Sequence, residues 1–156
     1  DRAVTPQGGT PEPPTTPVIA PAAGKGRTAV IEVSAADPNG ARDLNLVQLL
    51  INREFNGVSA CYMSYEVAEG RLWLIADAGS GSAGIGRPGE NKVIANSQCS
   101  VALDRAAVRT EGNQIVLQLP IEFKDSFIGT RRFFVYSIDR RGLRTEWQAR
   151  AEWTVR

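Results

Sequence analysis

The chain has 156 residues, of which 42% are hydrophobic and 22% charged, with a net charge of +1 and no histidine. That balance describes a soluble globular protein with no global pull toward nucleic acid or membrane, and no run approaches the roughly 18 apolar residues of a membrane span. Without histidine there is no Ser-His-Asp triad, Cys-His pair or histidine metal centre to build.

Residues 1–26 form a proline-rich N-terminal extension, holding six of the nine prolines between Pro6 and Pro21. Such a segment buries too little apolar surface to order itself and reads as disordered or polyproline II. Prolines forbid a fully bonded central strand but allow an extended segment along an edge or groove. Val4, Val18 and Ile19 are its bulky apolar residues, and they are the candidates for burial against a partner by strand addition. A start at Asp1 fits a secreted chain whose signal peptide has been removed.

From residue 27 to 156 the sequence alternates apolar and polar residues with period two. Thr28–Ala36 puts Ala29, Ile31, Val33 and Ala35 on one face. The turn stretch "DPNGARD" follows, and its Asp37, Asn39 and Asp43 offer oxygen ligands, as a calcium site would; a full shell needs six to eight oxygens, so residues from elsewhere, Asp139 being a candidate, would have to converge. An Asx turn explains the same residues without a metal. Leu44–Arg53 is apolar on both faces near its middle, as a central strand can be. Ser59–Val67 and Arg71–Ala76 form a hairpin closed by "AEG". The glycine-rich stretch Asp77–Gln98 reads as a long solvated loop, since it lacks the spacing of a phosphate-binding loop.

Gln98–Leu103 is a short strand. Asn113–Phe123 alternates clearly, with Pro120 predicting an edge or a break. Arg132–Ile138 and Trp147–Val155 complete a set of about eight strands, which implies an antiparallel sandwich. In the last strand Trp147, Ala149, Ala151, Trp153 and Val155 fall on one face, as core positions do. A carbohydrate platform drawn from Trp73, Trp147, Trp153, Tyr62, Tyr65 and Tyr136 is the competing use of these rings.

Cys61 and Cys99 are the only cysteines. Zinc would lack further ligands, so a disulfide formed on export is expected, with two free buried thiols as the alternative. Charge is uneven: residues 130–156 carry seven arginines and three acids, and the remainder is net −3. Arg140, Arg141 and Arg144 share a predicted turn and either guard a sheet edge or meet an acidic partner. No pair among the seventeen acids stands out as a glycosidase pair.

"FFVYSIDRRGLRTEWQARAEWTV" resembles the closing hairpin of the immunoglobulin-like and fibronectin-type repeats of large secreted bacterial proteins. "VSAADPNGARDLNLVQLLIN" is similar to their first two strands, and "ACYMSY" with "NSQCSV" to a cysteine pair found in some of them. The resemblance implies an all-β, antiparallel immunoglobulin-like sandwich over residues 27–156 in an extracellular setting, and no particular activity. We therefore expect a non-enzymatic secreted structural subunit that polymerises into a filament or surface fibre, its extension docking on a neighbouring copy. The alternative is a carbohydrate- or calcium-binding module of a larger adhesin or secreted enzyme. Neither reading calls for nucleic acid, a membrane span or a cofactor other than calcium.

Overall fold

The computed structural model describes residues 10–156, so Val4 lies outside the described residues. The described chain is all-β: β1 (Val18–Ala20), β2 (Ala23–Lys25), β3 (Thr28–Ala36), β4 (Leu44–Asn52), β5 (Cys61–Glu66), β6 (Arg71–Ile75), β7 (Ser82–Gly86), β8 (Val93–Ala95), β9 (Cys99–Ala102), β10 (Ala107–Glu111), β11 (Gln114–Phe123), β12 (Gly129–Asp139) and β13 (Gln148–Val155). Short 3-10 turns at Ala41–Asp43, Leu103–Arg105 and Asp125–Phe127 are its only helical pieces among the described residues.

Two sheets share the core. The first runs β1-β3-β11-β9-β8, with β10 also on β11; the second runs β2-β13-β12-β4-β5-β6-β7. Pairing is antiparallel throughout except for β2 on β13. Ile31, Val33, Leu119 and Ile121 of the first sheet meet Leu49, Ile51, Met63 and Phe133 of the second in one cluster. Period-two alternation supplies this core directly, because successive side chains leave a strand on opposite faces. Cys61 on β5 and Cys99 on β9 are joined by a disulfide that ties the two sheets together. Closing that 38-residue separation contributes about 4 kcal/mol in the chain-entropy model. The β5–β6 hairpin forms as expected, with Gly70 at φ 67°.

Three expectations need correction. Pro120 sits in β11, which is central: β3 pairs along one side through Pro120. On the other side β10 ends opposite Gln118 and β9 begins opposite Ile121, so the proline falls where the partner changes. The glycine-rich stretch Asp77–Gln98 holds two strands, β7 on β6 and β8 on β9. Its glycines at 84 and 86 allow close packing, since a Cβ there would come within 2.8 Å of Ile94 and 2.4 Å of Leu103.

The third concerns β13. Adjacent residues Phe133 and Phe134 of β12 pair with Ala151 and Ala149, so Arg150 is an extra residue on β13. A bulge of this kind reverses which face the following positions take. Trp153 and Val155 enter the core, whereas Trp147 joins a separate cluster with Leu50, Ala60 and Phe134.

The described part of the proline-rich segment lies on its own body. The Thr15 amide donates to the Ala36 carbonyl, β1 pairs with β3 and β2 with β13. Pro14, Pro17 and Ile19 are buried, while Val18 is 59% exposed. Gly24 packs so closely on Trp153 that a Cβ would come within 2.1 Å of the ring, and the Trp153 indole N–H donates to the Gly26 carbonyl.

Candidate functional site

The reversal at Arg150 builds an aromatic face on the outside of the seven-stranded sheet. Trp147 is its hub. Tyr136 stacks on it at 5.0 Å and 16°, Phe55 tilts against it at 5.2 Å, and Tyr62 meets it edge-on at 6.1 Å. Phe134 lies beneath, 5.4 Å from Phe55, and the Arg132 guanidinium stands 5.5 Å from the Phe134 ring. Tyr62, Tyr136 and Trp147 are half-buried and Phe55 is 55% exposed. The rings reach this face from three directions: Tyr62 from β5, Tyr136 and Phe134 from β12, and Phe55 from the loop after β4.

Beside the rings runs a groove of about 430 Å³ lined by Leu46, Gln48, Tyr62, Tyr136, Arg144 and Trp147, among others. Polar side chains are ordered along it. The Tyr62 hydroxyl donates to Gln48 Oε1 at 3.4 Å, and Gln48 Nε2 donates to Ser64 Oγ at 3.0 Å. Burial, with a smaller contribution from Tyr136, pushes the Tyr62 phenol above its ordinary pKa, so it remains a neutral donor at physiological pH. No described residue accepts a hydrogen bond from the Trp147 indole N–H.

The remaining rings are divided. Trp73 pairs across from Ser64 on the same outer face, its indole N–H donating to Glu66 Oε1 at 2.6 Å. Tyr65 and Trp153 are buried in the core. Phe55 and Phe134 belong to the aromatic face although the sequence reading did not select them. Both left a signal: Phe55 is a large ring in the turn-like "NREFNG", and consecutive Phe133 and Phe134 on one strand must face opposite ways.

At one end of the molecule Asp37, Asp43 and Asp139 come together, as the sequence allowed. One oxygen of each lies within 4.8 Å of the others. Asp37 directly follows β3, Asp43 ends a 3-10 turn and Asp139 ends β12. Burial, opposed by a hydrogen bond from the Asn39 amide, holds the Asp37 carboxyl above its ordinary pKa, and the charges of Asp43, Asp139 and Glu12 add to the rise. Asn39 is turned to a different use: its Nδ2 donates to the Thr10 carbonyl at 2.9 Å, and its Oδ1 accepts from the Glu12 amide at 2.8 Å.

The three turn arginines are separated. Arg140 Nε donates to the Arg42 carbonyl at 2.6 Å, Arg144 borders the aromatic groove, and Arg141 is exposed. Neither a family model nor a curated protein matches the chain.

Proposed function

We propose that the chain is a secreted, immunoglobulin-like binding module that takes carbohydrate on the aromatic face of its seven-stranded sheet. One observation carries the reading. A solvated antiparallel sheet face is ordinarily polar, yet here Phe55, Tyr62, Phe134, Tyr136 and Trp147 occupy it in mutual contact. The C–H face of a pyranose packs on such rings, and its hydroxyls suit the planar groups of Gln48, Glu146 and Arg144 along the groove. The disulfide is compatible with an extracellular setting.

A filament subunit docking through residues 1–26 is the other reading that composition suggests. Burial of Pro14, Pro17 and Ile19 against their own chain supports the module instead. The test is a glycan array probed with monomeric wild-type protein and Trp147→Ala. Glycan binding weakened at least about tenfold by the substitution is the expected result. Absence of glycan binding, with concentration-dependent assembly that vanishes on deleting residues 1–24, establishes the filament reading instead.

A further inference from the structure

The acidic end of the sandwich carries an inference that stands independently of the carbohydrate reading. Asp37 and Asp139 are 0% and 1% exposed. In each, the backbone fixes one carboxylate oxygen. Asp37 Oδ1 accepts from the Asn39 amide at 2.8 Å, and Asp139 Oδ1 accepts from the Arg141 and Leu143 amides, both at 2.9 Å. The second oxygen of Asp37, Asp139 and Asp43 is out of contact with water and has no hydrogen-bond partner. No described ion pair reaches any of the three, and Arg140, next to Asp139 in sequence, is turned to the Arg42 carbonyl.

A buried carboxylate oxygen without a partner is unfavourable, and three carboxylates that converge also repel one another. Local turn formation explains the satisfied oxygens and leaves the other three unexplained. We propose that these three oxygens are the protein part of a divalent cation site, and that the cation is calcium. The donors are hard oxygens, with neither imidazole nor free thiol in the described chain to favour zinc or copper. Calcium accepts an irregular shell completed by water and carbonyls, whereas magnesium demands a near-ideal octahedron. Asp43 is less buried than its two partners and marks the side from which the ion enters.

Asn39 carries the consequence to the N-terminal segment. Its amide holds Asp37, while its side chain holds the backbone of Thr10 and Glu12. An ion that fixes Asp37 therefore steadies the turn on which residues 10–12 are anchored.

The test treats the full chain with EDTA and titrates it with calcium chloride, following the heat of binding, Tm, and trypsin cleavage after Lys25. Expected are a Kd of roughly 10⁻⁴–10⁻³ M, as in extracellular modules, and a Tm rise of about 3–6 °C when calcium is near ten times Kd. Calcium should also slow the cleavage. Asp43→Asn should match or exceed the wild-type Tm in EDTA, because one repelling charge is gone, and should lose the calcium response. No heat with an unchanged Tm overturns the site, and a full response in Asp43→Asn overturns this ligand set. An Asp43→Asn protein less stable than wild type in EDTA overturns the repulsion on which the site rests. An equal Tm rise with magnesium overturns the assignment to calcium.

Discussion

On the outer face of the seven-stranded sheet, apolar rings are left partly in water; at the acidic end, carboxylate oxygens are left out of it. Between them lies the shared core, with Ile31, Leu49, Phe133 and their neighbours in one cluster. The two regions break opposite rules, and each motivates one of the proposals above: a ligand with an apolar face and a hydroxyl rim in one case, a cation in the other. What differs is how the sequence makes them. The acidic end is assembled from turns, where short polar side chains bond nearby backbone. The aromatic face depends on a bulge, which changes the facing of residues that alternate perfectly on paper.

The largest contrast lies between two tryptophans of one strand region. Trp153→Ala removes a core ring and is expected to lower stability by about 3–5 kcal/mol. Trp147→Ala removes ring contacts at a half-exposed site and is expected to lower it by about 1–2 kcal/mol. Urea denaturation of both variants measures the difference. Equal losses would place Trp147 in the core and dissolve the distinction.

A smaller contrast separates two carboxylates. The Ser97 hydroxyl donates to Asp77 Oδ2 at 2.6 Å and the Ser97 amide donates to Oδ1 at 3.1 Å, and the hydroxyl bond chiefly holds Asp77 below its ordinary pKa. Its contribution to stability is present above the ordinary carboxylate value of about 3.9 and is lost as pH falls through the depressed one. For Asp37 the sign is reversed: burial raises its value, so its contribution is present below about 3.9 and is lost as pH rises through the raised value. Carboxyl NMR titration in EDTA should give a midpoint for Asp37 above that of Asp77. Coincident midpoints contradict the contrast.

Much of the frame was legible. β3, β4 and β11 show their alternation or central apolar run directly, and the absence of other ligands left Cys61 and Cys99 to pair. Asp37 and Asp43 were visible because their turn is local, and the arrival of Asp139 was foreseeable only as a requirement. What stayed hidden depends on distant partners. Nothing near Arg150 marks a bulge, because its register is set by β12. β7 and β8 form from a glycine-rich stretch because β6 and β9 offer them edges. Ile19 becomes a core residue only once β3 is present to receive β1.

The three tryptophans offer the most direct test of the aromatic face. The indole N–H groups of Trp73 and Trp153 are bonded to Glu66 and to the Gly26 carbonyl, whereas that of Trp147, a residue lining the groove, has no described acceptor. Titrating isotope-labelled protein with oligosaccharides and following the three indole resonances should move the Trp147 signal first and most, leaving Trp153 in place. A Trp147 signal that stays fixed while a bound sugar shifts residues elsewhere would contradict the carbohydrate face.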